Sequence, residues 1–573
     1  MKKIFFGKLF GLTILMFMLL FTGASAEMYE GTGLGYDKDG IVLDVEIKDS
    51  KITDVKVKRA KESEFATPAI QEIAKKVIAT QSLDVDGISG ATITSEGTKE
   101  AIEEAVKKSG ITLTAVTGQN AKAVELPKEA DVVVIGAGGA GLTSAIAAHE
   151  KGVKVILIEK TELLGGNTNY ATAGLNAAGT KIQEKLGIKD SPELFYEDTI
   201  KGGKNKNNKE LVKVLANNSS AIVDWLIERG ADLSELTSTG GQSAKRTHRP
   251  TGGTAVGPNI VAALSKTAES EKIDIRKGTK AIALVKAKNK IVGVKVREID
   301  GKEYTIKAKA VIVATGGFGA NAKMVEKYNP KLKGFGSTNS PAIVGDGIIM
   351  VEKVGGALVD MKEIQTHPTV VHNKTNMITE AVRGEGAILV NRDGKRFIDE
   401  LETRDVVSKA ILSQKGKSAF LIFDEDIRTK LKAADGYVKK GFAVEGTLEE
   451  IAAKIGTDAK TLEATLNKYN EAVKNKVDSE FNKKTLPKEL TGTKYYAIEV
   501  SPAVHHTMGG VRINTNAEVL GKNGRPIKGL YAAGEVTGGM HGANRIGGNA
   551  VADITVFGKI AGENAATYSK SVK

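Results

Sequence analysis

Residues 131–159 read DVVVIGAGGAGLTSAIAAHEKGVKVILIE. An apolar strand, Asp131–Ile135, runs into a glycine-rich turn, Gly136–Gly141. A helix over Leu142–Lys151 and a second strand over Lys154–Glu159 follow. This order predicts a Rossmann-like βαβ unit. Gly136, Gly138 and Gly141 give the G-x-G-x-x-G spacing. The first glycine permits the tight turn, the second lets backbone approach a pyrophosphate, and the third lets helix pack on strand. The helix start offers N–H donors and the positive end of its dipole to phosphates. Glu159 ends the second strand, placed to bind a ribose hydroxyl. A lone motif of this kind is weak, but here strand, helix and acid are all present. Spacing alone does not choose between FAD and NAD.

Around this unit the chain has 573 residues, enough for three or four domains at roughly 100–200 residues each. Hydrophobic residues make up 41% and charged residues 26%, which excludes a mainly disordered chain and a polytopic membrane protein. There is no cysteine, so disulfides, thiol nucleophiles, iron–sulfur clusters and CxxCH haem attachment are excluded. No metal site is expected, and redox chemistry needs another cofactor. Net charge is +13, mostly dispersed lysine interleaved with acids. That reads as a solvated basic surface; attraction to anionic substrates or to a wall or membrane surface is the lesser reading. No basic–aromatic cluster points to nucleic acid.

Residues 1–26 carry Lys2, Lys3 and Lys8, an apolar run over Leu9–Phe21, and Ala24-Ser25-Ala26. This predicts a signal peptide cleaved after Ala26 and a secreted or extracytoplasmic protein. The apolar run is shorter than the roughly 20 residues a spanning helix needs. Alternating residues over 41–62 predict two or three half-buried strands. Helices are expected over Ala66–Ser82 and from about Glu96 to Ser109. Further expectations are a strand at Ala310–Ala314, a long amphipathic helix over Leu448–Lys476, and a final helix over Ala550–Tyr568.

Beyond Glu159 come Gly165-Gly166-Asn167-Thr168, Ala173-Gly174-Leu175-Asn176-Ala177-Ala178, Ala314-Thr315-Gly316-Gly317, Gly345-Asp346-Gly347 and Tyr531-Ala532-Ala533-Gly534-Glu535. In this order they resemble the FAD-binding flavoproteins of the fumarate reductase and succinate dehydrogenase superfamily. The match is strongest to soluble single-chain fumarate reductases, with urocanate reductase a near relative, and it covers residues 130–573. The resemblance implies FAD contacts at Gly136, Gly138, Ala140, Gly141, Glu159, Asn167, Thr168, Ala173, Gly174, Asp346, His506, Glu535, Ala550 and Val551. With a histidine at 505, it implies that FAD is held non-covalently.

Asp86-Gly87-Ile88-Ser89-Gly90-Ala91-Thr92 resembles the FMN-binding domain of ion-pumping electron-transfer complexes. That implies FMN joined through its phosphate to Thr92 by a flavin transferase. From the residues alone, the other reading is a turn over Ser89–Ser95 that caps a helix.

Five blocks carry charged and imidazole groups: 365–369, 377–384, 402–405, 505–510 and 541–549. Histidine and arginine beside glycine-rich turns suggest a dicarboxylate clamp, because the guanidinium fork matches a carboxylate. From the residues alone, a plain salt bridge with Glu402 or Asp405 is the first reading of Arg404. The resemblance implies more. His367, Thr379 and Glu380 would hold one end of fumarate, and His505, Arg545 and the Gly548 backbone the other. Arg404 would donate the proton, resupplied through Glu380 and Arg383. His367 stands where urocanate reductases carry an aromatic residue, which favours fumarate; methacrylate or cinnamate types stay open. A membrane-linked electron donor is implied.

The expected architecture is α/β: a Rossmann-like FAD-binding domain (130–360 and 505–573) with an inserted α+β clamp domain (361–504). A small α+β FMN-binding domain (27–118) and a linker (119–129) precede it.

Overall fold

The computed structural model describes residues 26–35, 40–60, 62, 66–88, 91–115 and 127–572. Residues 1–25 of the expected signal peptide, most of the linker, and Ser89 and Gly90 of the FMN motif lie outside these residues. The chain divides into two compact units, the first drawn from residues 1–120 and the second essentially from 121 onward.

In the first unit, Glu27–Gly33, Ile41–Lys48 and Lys51–Ala60 form an antiparallel sheet in chain order. Asp49 and Ser50 link the last two strands with φ of 50° and 58°. Positive φ at both positions is the turn whose twist matches a hairpin. The alternating set Ile41, Leu43, Val45, Ile52 and Val55 is buried. Helix Thr92–Ser109 presses on the first strand: a Cβ at Gly31 would lie 1.8 Å from the Ala101 carbonyl oxygen. Only glycine allows that approach. The helix starts at Thr92 rather than near Glu96. Thr94, Ser95 and Thr98 are buried, and Ser95 Oγ donates to the Ala91 carbonyl at 2.9 Å. Hydroxyl residues that favour turns when solvated are drawn into the helix by this packing.

The second unit is built on a largely parallel sheet. Pro526–Ala532, Glu303–Val313, Glu129–Ile135, Val155–Ile158 and Asp274–Arg276 lie side by side, all parallel. Thr279–Ala287 and Lys290–Glu298 extend the edge antiparallel. Val132–Val134 and Ile156–Leu157 are buried on both faces, as a parallel sheet covered by helices requires. Helices Gly139–Glu150 and Asn549–Ser571 pack together on it, with Gly558 and Gly562 at the contact.

A second, antiparallel sheet joins Ile364–Val371, Tyr495–Thr507, Ala419–Asp424 and Ile388–Val390, with Val444–Gly446 beside Tyr495–Thr507. It has its own apolar core, including Leu389, Leu421, Ile422, Phe423, Tyr469 and Ile498. The expected helix over 448–476 is two helices, Leu448–Ile455 and Ala459–Asn475. Gly456 stops the first at φ 74°, and Asp458 caps the second through the Thr461 N–H. Amphipathic periodicity continued through the break and concealed it. Among the described residues, no helix is long and apolar enough to cross a membrane.

Candidate functional site

The first βα turn is a backbone cradle. Gly136 has φ 97°, and a Cβ on Gly141 would sit 1.7 Å from the Gly136 carbonyl oxygen. Strand and helix meet there with no room for a side chain. At Gly138 a Cβ would have nothing nearer than the Gly165 oxygen at 3.6 Å. The turn is thus tight against the protein at Gly141 and open at Gly138, where a pyrophosphate would approach. Glu159 accepts from the Ala137 N–H at 2.8 Å and from the Thr161 N–H at 2.9 Å. Thr168 Oγ1 accepts from the Gly139 N–H at 3.0 Å, and Asn167 donates to Asn339 and to Glu535. Gly174 has φ 156°, with Thr247 Cγ2 2.4 Å from where a Cβ would stand. Ala173 precedes it. Asp346 pairs with Lys160 at 2.6 Å, at the start of helix Asp346–Lys353. Ala550 and Val551 lie in the first turn of the last helix, where Val551 is buried. Burial pushes the Glu535 carboxyl above its usual range, against the Thr507 N–H at 3.0 Å. These features fit an extended dinucleotide such as FAD.

The charged site is assembled by the second sheet. Strand Ile364–Val371 pairs with Tyr495–Thr507, and the register shifts between His367 and Val370. Pro368 occupies that irregularity, where a strand tolerates a missing N–H. The pairing brings His367 and His505 edge to face, with ring centroids 5.2 Å apart. His505 Nδ1 meets Thr338 Oγ1 at 2.8 Å. His506 meets His541 at 5.2 Å, and His541 Nε2 lies 3.2 Å from Asp553.

Glu380 and Arg404 open two short helices, Glu380–Gly384 and Arg404–Leu412. A carboxylate suits a helix start; a guanidinium there opposes the dipole. Arg404 is held instead by side chains. Its Nε is 3.5 Å from Glu380 and its Nη1 donates to Gln365 Oε1 at 3.3 Å. Asp405 pairs with Lys204 and Thr403, so it is not the partner of Arg404. Arg383 Nη2 is 3.9 Å from the same Glu380 oxygen. Gln365 also donates to Asn544 and to the Arg545 carbonyl, both at 2.9 Å. Thr379 is buried, and its N–H donates to Tyr437 at 3.0 Å. Gly548, φ 86°, caps the last helix against Asn176.

The electrostatics favour an anion. Burial, reinforced by the Arg404 charge, lowers Arg545 to about 9. Burial, with the Arg404 charge, drives His367 and His505 well below their usual value, so both rings are neutral. Burial also lowers His506 and His541. Burial works to raise Glu380, but Arg404 and Arg383 outweigh it and keep it ionised. Among the described residues, His367 Nδ1, His506 Nδ1, Arg545 Nε and Arg383 Nη2 are buried without a hydrogen-bond partner. Unpartnered buried polar atoms of this kind mark where a ligand would bind. Sequence reasoning gave no role to Thr338, Asn339 or Tyr437, and no motif marked them. They reach the site from 167, 172 and 58 residues away along the chain.

An open glycine cradle beside a buried, arginine-rich anion site marks a dinucleotide-binding protein with a place for a small anion. Comparison with known proteins bears on this. Residues 131–551 match the FAD binding domain family, and residues 35–107 the FMN-binding domain family. The chain is 51% identical to the fumarate reductase (cytochrome) of Shewanella frigidimarina over 77% of each chain. It is 44% identical to the NADH:fumarate oxidoreductase of Klebsiella pneumoniae over 93% of this chain, and spans only 58% of that relative's length. A flavocytochrome c3 fumarate reductase in an open conformation superposes with a TM-score of 0.69 at 43% identity, covering 79% of this chain and 80% of that one. The chain belongs to the FAD-dependent fumarate reductase family, with an FMN-binding domain ahead of the FAD-binding domain.

Proposed function

We propose that this protein is an extracytoplasmic reductase of fumarate to succinate, with FMN on Thr92 and non-covalent FAD as its redox centres. The observation that carries the reading is the convergence of Arg383, Arg404 and Arg545 with two neutral histidines on one buried site. A dicarboxylate is the small molecule that satisfies such an array. The matches to fumarate reductases support the same substrate.

Reduced FAD, when bound, would supply the hydride for one alkene carbon. The protein does the rest. His367 and Thr379 hold one carboxylate, beside Glu380; His505, Arg545 and the Gly548 backbone hold the other. Twisting one carboxylate out of plane polarises the double bond. Arg404 gives the proton to the adjacent carbon. An arginine acts as an acid only if its proton is replaced at once, and Glu380, bracketed by Arg404 and Arg383, is the replacement route. Residues 361–504 serve as a clamp that excludes water and fixes alignment. The boundaries are 27–118 for the FMN domain, 119–129 for the linker, and 130–360 with 505–573 for the FAD domain. Residues 1–26 direct export. A flavin transferase loads Thr92, and a membrane-linked donor supplies electrons.

The test is reduced-viologen oxidation by the FAD-loaded protein with fumarate, urocanate, methacrylate and cinnamate. Fumarate-dominated turnover is expected. Turnover of another enoate with little of fumarate refutes the clamp assignment and leaves the Arg404 chemistry standing. Mass spectrometry of protein made with and without a flavin transferase reads the Thr92 linkage.

A further inference from the structure

Behind the arginine site lies a group of two basic and two acidic side chains that the proposed reaction does not use. Arg396 and Glu400 are four residues apart, joined Nε to Oε1 at 2.9 Å. Lys483 reaches the other oxygen of Glu400 at 2.8 Å, and Arg396 Nη2 reaches Asp478 at 3.0 Å. All four are buried, with Glu400 fully inaccessible. The Arg396 guanidinium lies over Phe481 and Tyr469, 4.9 and 5.2 Å from the ring centroids. Glu400 Oε1 also accepts the Leu389 N–H at 3.2 Å, which ties the group to the second sheet.

Such a cluster is poor value as stabilisation, since well-packed apolar residues in place of a buried ion group are often neutral or better. Its position suggests another role. The Glu400 carbonyl accepts a hydrogen bond from Arg383 Nη1. Among the described residues, Arg383 Nε and Nη2 have no hydrogen-bond partner, so this bond fixes the guanidinium. Four residues beyond Glu400 the helix of Arg404 begins. Both guanidiniums that flank Glu380 therefore hang on the segment that these ions hold.

We infer that Arg396, Lys483 and Asp478 are positioning residues: through Glu400 they set the places of Arg383 and Arg404, and so the rate of proton delivery. The inference rests on the proton route proposed above. It predicts a defect in kcat and not in substrate binding, because none of the three reaches His367, His505 or Arg545.

The experiment uses the full chain loaded with both flavins, reduced viologen as donor, and whichever enoate the wild type reduces fastest. Lys483→Met, Lys483→Arg and Asp478→Asn are compared for kcat, KM, solvent deuterium isotope effect and FAD content. In Lys483→Met, kcat should fall about 10- to 100-fold, the penalty of a small misplacement. KM and FAD content should hold, and the isotope effect should rise as proton transfer becomes slower. Lys483→Arg, which keeps the charge, should restore most of kcat. Unchanged kcat and isotope effect in Lys483→Met overturn the inference; so does a loss of rate that only follows loss of FAD. If Lys483→Met does not fold, Asp478→Asn decides by the same readouts. A wild type that reduces no enoate defeats the underlying reading; an active wild type matched by its variants defeats this inference alone.

Discussion

The glycine cradle and the arginine site bind by opposite means. The cradle at 136–141 is backbone, held by one strand, one turn and one helix, and its selectivity is steric. Its parts lie within 29 residues of sequence, 131–159. The arginine site is made of side-chain charge, gathered from segments between Thr338 and Gly548 by strand pairing and short helices. A cradle fails when an atom is added; a charged site fails when one is removed.

The largest effect tests the first half of that contrast. Gly141→Val puts a branched side chain where even a Cβ meets the Gly136 oxygen at 1.7 Å. Strand and helix cannot close, and no folded, FAD-loaded protein should be recovered. Soluble yield and flavin absorbance read this; a variant that retains FAD would show the cradle to be pliable.

Arg404→Ala tests the second half. It removes charge without adding atoms, so fold and FAD should persist. Turnover should drop about 10²–10⁴-fold, the usual worth of a positioned acid. An Arg404→Ala enzyme with near-normal kcat would leave Arg404 as a mere ion-pair partner of Glu380.

Charge also makes the arginine site sensitive to acid. His367, His505, His506 and His541 have folded pKa values below their ordinary one. The unfolded chain therefore binds more protons as pH falls below about 6.5. Stability is full above that value and declines beneath it, by up to about 1.4 kcal/mol per pH unit for each histidine. Denaturant titrations between about pH 7.5 and 5.5 should show the slope, and His367→Asn should make it shallower. An unchanged slope would mean that His367 titrates freely in the fold.

The smallest effect lies away from both sites. Gly456→Ala keeps the space, since nothing lies within 4 Å of the new Cβ, but forces a left-handed backbone on alanine. That costs about 1 kcal/mol, visible as a small drop in Tm with kcat unchanged.

The contrast also explains what could be read in advance. The βαβ unit was legible because strand, turn and helix are neighbours in sequence and each glycine has a local steric reason. The break at Gly456 was not, because helical periodicity resumed in phase on its far side. The start of helix Thr92–Ser109 was hidden for a related reason: its hydroxyl residues favour turns until burial makes helix the better option. Within the charged blocks, the residue types announced an anion site, but the choice of partner did not follow from adjacency. Arg404 pairs across 24 residues with Glu380, and the neighbouring Asp405 turns to Lys204.

The sequence by itself determined the dinucleotide cradle and the stock of arginine and histidine, since these depend on local sterics and on residue chemistry; the two flavin-binding domains followed from resemblance. The tertiary structure alone decided which charges face one another. His367 meets His505 through strand register, Arg383 hangs from a carbonyl 17 residues on, and Lys483 closes a buried ion group from 83 residues away. Coulomb and hydrogen-bond energies depend on distances in space, and only the folded chain sets those.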